Sequence, residues 1–232
     1  MRHVLRESLA LIGFWMTLRY VLIWVLSYKP FKDSSFDNKH NTDTDGMVPT
    51  RDLDIDDPKS KWQSNLYLGS PPKVTRHIIK ALSIDYKDYS FIDYGSGKGR
   101  ALFVAANFPF KQVVGVEISE QLHTVAKKNL ESYQGDLNAS IHLWRGDALD
   151  YSLPEGNLVL HMYHPFGPDV LRMVLSRVRD TAGQKSRRVL IPYLFSIGVA
   201  KSVFHEFNEF SRLRDELCVN NLYRWTLYEL NT

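Results

Sequence analysis

The sequence predicts an α/β fold: a doubly wound, seven-strand sheet, mostly parallel with an antiparallel last strand, preceded by an N-terminal apolar helix. Three observations predict it. Apolar runs of strand length alternate with segments whose apolar residues recur at helical spacing, the pattern of βα units. The first run, Phe91 and Ile92, opens through Asp93 into three alternating glycines, Gly95, Gly97 and Gly99, before the helical stretch Ala101 to Ala106. The next run, Lys111 to Ile118, ends in an acidic residue, Glu117, 24 residues after Asp93.

Taken in order, Leu9 to Tyr28 is apolar over 20 residues, about 30 Å as a helix and long enough to cross a bilayer core. Its one charge, Arg19, costs roughly 2.5 to 3.5 kcal/mol at the bilayer centre, while its ten Leu, Ile, Phe and Val residues together return roughly 3 to 6 kcal/mol. Ile12, Trp15, Met16, Leu22, Ile23 and Leu26 share the helical face of Arg19, which argues for spanning or burial over an interfacial helix. The expectation for residues 1–32 is an uncleaved membrane anchor, with a helix packed on the domain or on a partner as the alternative. Residues 33–62 carry eight aspartates against four Lys and Arg. They read as an acidic linker or as a cover over the active site.

Residues 63–232 read as one catalytic domain. Ser70 and Pro71 start a helix that puts Val74, Ile78, Ala81 and Leu82 on its core side. After the glycine turn and the second strand, Ser119 offers an N-cap to a helix over Glu120 to Tyr133. Ile141 to Trp144 form a third strand leading into Gly146-Asp147-Ala148. Asn157 to Phe166 is an apolar run ending in Tyr163-His164-Pro165-Phe166, and the helix after it carries Val170, Leu171, Val174, Leu175 and Val178 on one face. Arg187 to Phe195 is a fifth strand, a helix follows near Gly198 to Phe207, and Phe210 to Leu230 supplies the closing antiparallel pair.

Composition excludes several classes. At 232 residues and 44% hydrophobic content the chain can bury one sizeable core. A lone cysteine, Cys218, excludes an internal disulfide framework. His161 and His164 lie three apart on a strand, facing opposite sides, so no metal cluster is signalled. A net charge of +3 implies no strong field for nucleic acid.

Spacing decides what the glycine turn holds. A dinucleotide fingerprint needs a glycine where Arg100 stands, and a P-loop needs Ser or Thr where Gly99 stands. Neither motif closes. The run D-x-G-x-G-x-G from Asp93 to Gly99 resembles the first motif of the class I, Rossmann-like, S-adenosylmethionine-dependent methyltransferases. Glu117 sits where a doubly wound fold presents a carboxylate to ribose hydroxyls. The resemblance implies S-adenosylmethionine as cofactor, with Asp93, Gly95, Ser96, Gly97, Gly99, Glu117, Ile118, Asp147 and Ala148 around it. Asp147 would face the adenine amino group, or else it caps a turn.

The strand end Tyr163-His164-Pro165-Phe166 resembles the [DN]-P-P-[FY] motif of methyltransferases acting on nitrogen, with His164 at the Asn/Asp place. A neutral imidazole has one acceptor nitrogen, so His164 is the expected catalytic acceptor unless it merely caps the strand. Tyr163, Pro165 and Phe166 are the expected substrate residues. Asp43-Thr44 and Tyr67 extend the resemblance to a little-characterised branch of class I. It is also similar, more distantly, to the seven-strand protein-lysine methyltransferases, in which a tyrosine segment closes over the cofactor, and Tyr67 matches that tyrosine. The resemblance implies N-methylation of a protein amino group or a small amine. A lipid or small-molecule methyltransferase, an NAD-dependent oxidoreductase and a non-catalytic scaffold are the alternatives. The expected location is a membrane surface, with the catalytic domain on a cytosolic or matrix side, and otherwise the cytoplasm.

Overall fold

The computed structural model describes residues 34–55, 64–182, 187–195, 198–219 and 223–231. The expected helix over Leu9 to Tyr28 lies outside them. Among the described residues no helix is long and apolar enough to cross a membrane.

The chain opens with α1 (Ser34–His40), then β1 (Met47–Val48) and a 3-10 turn, Thr50–Asp52. After β2 (Tyr67–Leu68) and α2 (Pro72–Ala81) the doubly wound part begins: β3 (Tyr89–Tyr94), α3 (Arg100–Ala106), β4 (Gln112–Glu117), α4 (Glu120–Ser132) and β5 (Ile141–Arg145). Then come β6 (Asn157–Tyr163), α5 (Pro168–Ala182), β7 (Val189–Leu194), α6 (Val199–His205), β8 (Phe210–Cys218) and β9 (Tyr223–Leu230).

The seven-stranded sheet has the order β5-β4-β3-β6-β7-β9-β8. The pairs from β5 through to β7 are parallel, and β9 runs antiparallel to both β7 and β8. The last strand thus inserts between its predecessors instead of adding at the edge. Winding outward from β3 to β5 and then restarting at β6 creates a switch point at the carboxyl ends of β3, β4 and β6, where open sheets of this kind bind ligands.

Central strands must be apolar on both faces because helices cover both. All six residues of β3 are buried. Ile92 and Tyr94 face one core with Leu158, Leu160 and Leu171, while Phe91 faces the other with Val74, Ile78, Phe103 and Trp225. Local chemistry starts the helices on time. Gly99 caps α3 in the left-handed region at φ +90°, where a side chain would be strained. The Ser119 hydroxyl accepts the Leu122 N–H at 3.2 Å and caps α4.

Candidate active site

The glycine turn hangs from the end of β4. The N–H groups of Gly95 and Ser96 both donate to Val116 O, at 2.9 and 3.1 Å, and Gly97 N–H donates to Glu117 Oε2 at 2.7 Å. Neighbours press on the turn from above. A Cβ on Gly97 would lie 2.2 Å from the Tyr67 ring, and one on Gly95 would lie 2.6 Å from Pro165 Cβ. These glycines are therefore needed for close approach as well as for positive φ.

A cleft of about 920 Å³, counted to its open mouth, runs along the carboxyl ends of the central strands. Gly95, Ser96, Glu117, Ile118, Asp147 and Ala148 line one part of it, and Tyr163, Pro165 and Phe166 line another. Tyr67, Asn65, Leu53 and Ile55 enclose it. Of the nine residues expected at the cofactor, six thus share one wall. Gly97 lies under the Tyr67 ring and Gly99 at the start of α3.

Glu117 is buried, with Oε1 accepting the Ser119 N–H at 2.9 Å and Oε2 that of Gly97. Burial outweighs these bonds and pushes its carboxyl up to about 7. Each carboxylate oxygen retains a lone-pair direction for a further donor. Asp147 Oδ1 accepts Leu149 N–H at 2.9 Å, a turn-forming bond, while the residue still lines the cleft. The Ser96 hydroxyl is buried in the same wall and meets no partner among the described residues. A buried polar group without a partner costs roughly 1 to 3 kcal/mol, so this wall suits a ligand with polar groups of its own. A ribose, an adenine and an amino-acid head fit those donors and acceptors.

Two expected site residues face elsewhere. Asp93 pairs in register with His161 on β6, and its Oδ1 lies 2.6 Å from His161 Nδ1, with both side chains buried beneath the turn. The pleat puts this carboxylate on the Phe91 face of the sheet, against a neighbour 68 positions on, so it braces the turn from below. His164 adopts φ +45°, a left-handed conformation tolerable for His and costly for bulkier residues. Its Nδ1 lies 2.9 Å from the hydroxyl of buried Tyr193. A buried O–H needs an acceptor, which assigns Nδ1 that role and leaves the ring proton on Nε2. Burial holds the His164 ring below the ordinary histidine range. The expected acceptor nitrogen is thus taken up by Tyr193, while its neighbours Tyr163, Pro165 and Phe166 form the cleft wall.

Tyr67 lines the cleft with its ring and donates its hydroxyl to Thr44 O at 2.6 Å. Burial pushes that phenol up, so it remains a donor. The acidic segment is built into the site. Arg100, buried in α3, donates from Nε to Thr44 Oγ1 at 2.6 Å and from a terminal nitrogen to Asp37 Oδ2 at 3.3 Å. Asp37 also accepts the Thr44 and Thr42 hydroxyls, at 2.5 and 2.8 Å. Burial raises the Asp37 carboxyl, but these bonds and the Arg100 charge outweigh it and hold it below the usual carboxylate range. Further on, Asp54 accepts from the Ser119 hydroxyl and from Gln121 N–H at the start of α4, at 2.5 and 2.8 Å.

Sequence reasoning missed Asn65, Arg100 and Asp37. Arg100 carried a faint signal, as a charge at the head of the wholly apolar stretch Ala101 to Ala106. Asn65 carried none, because its partners lie about 100 positions away.

The family described as Histone methylation protein DOT1 matches residues 60–157, the segment holding the glycine turn, Glu117 and Asp147. No curated protein matches the chain in sequence. Among solved structures, the fold is similar to the glycopeptide N-methyltransferase MtfA complexed with sinefungin, at TM-score 0.55 and 11% identity over 69% of this chain and 94% of that one. It is similar to the mitomycin 7-O-methyltransferase MmcR at TM-score 0.53 and 15% identity, over 70% and 55%. It is also similar to the putative methyltransferase yhhF from Escherichia coli at TM-score 0.52 and 15% identity, over 81% and 99%. This strand order, this glycine turn and these carboxylates around one cleft give the chain the fold of the class I S-adenosylmethionine-dependent methyltransferases and a cleft whose residues fit that cofactor.

Proposed function

We propose that the protein methylates a nitrogen, with a protein amino group, the side chain of lysine, as the acceptor. The observation that carries this reading is the end of β6: Tyr163, Pro165 and Phe166 form an apolar and aromatic wall directly against the glycine turn. Such a wall strips water from an amine and orients it, which is where most of the acceleration of a simple displacement originates. The match to a histone methylation family and the likeness in fold to a glycopeptide N-methyltransferase support the same acceptor class.

S-adenosylmethionine, when bound, supplies an electrophilic methyl group on a sulfonium. The chain's own residues do the rest. Glu117 accepts the ribose hydroxyls, Asp147 and Ala148 hold the base, and Ser96 meets the amino-acid head. Tyr67 closes the cleft with its ring while its hydroxyl is tied to Thr44 O. We also propose that residues 9–28 hold the protein at a membrane, which would restrict its substrates to that surface.

Labelled S-adenosylmethionine offered with core histones and with polylysine tests the acceptor. Methyl-lysine on hydrolysis of the product is the expected result. Base-labile label, or label entering only lipid or small-molecule amines, would replace the protein acceptor with those classes. Binding of NAD in preference to S-adenosylmethionine would overturn the reading altogether.

A further inference from the structure

Asn65 ties down the strand end that forms the substrate wall. Its N–H donates to Pro165 O at 3.2 Å, and Ser64 beside it forms an antiparallel bridge to Phe166. Its Nδ2 donates to His164 O at 2.8 Å and to Phe166 O at 3.3 Å. One residue therefore satisfies three successive carbonyls of the tetrapeptide.

The side-chain amide has a definite orientation as a result. Flipping it would set Oδ1 against two carbonyl oxygens, so Nδ2 belongs on that side. Both amide hydrogens are then committed. What Asn65 can still offer is Oδ1, an acceptor, on a residue that lines the cleft beside Pro165 and Phe166.

A nitrogen that is to be methylated must aim its lone pair at the methyl group, and it can do so only if acceptors hold its N–H bonds elsewhere. His164 stands at the position where the sequence suggested such an acceptor, but its Nδ1 is occupied by Tyr193. We propose that Asn65 Oδ1 is the side-chain acceptor that holds an N–H of the substrate amine, and that the three carbonyl contacts of Asn65 fix it in place for that purpose. The proposal rests on the nitrogen-acceptor reading above. It assigns the role to a segment about 100 residues away in sequence from the strand end that appeared to carry it.

Sinefungin provides a test that needs no substrate. In this analogue a carbon bearing an amino group replaces the sulfonium and its methyl, so its amine probes the acceptors around the transfer point; S-adenosylhomocysteine has nothing there. Calorimetric dissociation constants for both ligands are measured on the full chain, on Asn65→Ala and on Asn65→Ser. The expected result is that Asn65→Ala lowers the preference for sinefungin over S-adenosylhomocysteine by roughly tenfold or more, the usual worth of a hydrogen bond to a charged group. Affinity for S-adenosylhomocysteine should stay within about twofold, and Asn65→Ser, whose hydroxyl can still donate to one of the two carbonyls but which lacks the amide oxygen, should lose the preference as Asn65→Ala does.

An unchanged preference in Asn65→Ala overturns the proposal. So does an equal loss for both ligands in both variants, which is what a purely structural role would produce. If Asn65→Ala does not fold, an unchanged preference in Asn65→Ser overturns it as well. Failure of the unaltered protein to bind either ligand would instead bring down the cofactor reading, and the proposal with it.

Discussion

Glu117 is the residue at which folding and function pull hardest against each other. Folding removes its carboxylate from water, and the two backbone N–H groups it accepts from do not compensate, so its carboxyl is raised from 4.5 to about 7. Between those values the folded protein holds a proton that the unfolded chain has released. Its contribution to stability therefore falls as pH rises through that window, by on the order of 3 kcal/mol by its upper end. In the role proposed for Glu117, ribose hydroxyls would donate to the charged form and so offset the cost where it is largest. The stabilisation of the protein by S-adenosylmethionine, read as a shift in melting temperature, is expected to be larger at about pH 8 than at about pH 6. Glu117→Ala should abolish that difference and weaken binding by roughly 1 to 3 kcal/mol. An equal shift at both pH values would remove Glu117 from the ribose site.

At the scale of elements, the segment from α1 to Ile55 forms a strap over the glycine turn. Its holding points include Arg100 with Asp37 and Thr44, the paired bonds between Asp43 and Asn129, the β1–β2 pairing beside Tyr67, and Asp54 on the first turn of α4. The first point is buried, and removing one partner of a buried ion pair leaves the other uncompensated, at a cost of roughly 3 to 5 kcal/mol. Arg100→Met is therefore expected to destabilise the protein by about that amount, or to release the strap, whichever costs less. Hydrogen exchange distinguishes the outcomes, since release would expose the amides of Thr44 and Asp45, which donate to Asp37. Full protection of both amides in a stable Arg100→Met protein would show that the latch lies elsewhere. Because the Asp37 carboxyl is depressed, its contribution is present above the ordinary carboxylate range and fades as pH falls through its lowered value.

At the scale of the whole molecule, one sheet separates two cores and carries the cleft at its carboxyl edge. Nothing in that arrangement calls for the apolar stretch Leu9 to Tyr28, whose composition alone motivates a tether. If it is an anchor, full-length protein should remain in the membrane pellet after a carbonate wash, and a chain beginning at Ser34 should appear in the supernatant. Full-length protein recovered in the supernatant would exclude a spanning anchor.

The sequence by itself determined the succession of strands and helices from α2 onward, the glycine turn and the carboxylate positions at the ends of β4 and β5. These follow from local rules: the two periodicities of apolar residues, the conformations that only glycine reaches, and the short offsets at which a doubly wound fold presents its strand ends. Only the tertiary structure decided which way each side chain faces and what it touches there. Asp93 turns to His161, His164 to Tyr193, Arg100 to Asp37, and Asn65 to the carbonyls of His164 and Phe166, over separations of 29 to 101 positions. A polar side chain is committed by whichever partner the packed sheet brings within about 3 Å. That partner belongs to another strand or to the strap, so no local pattern in the sequence records it.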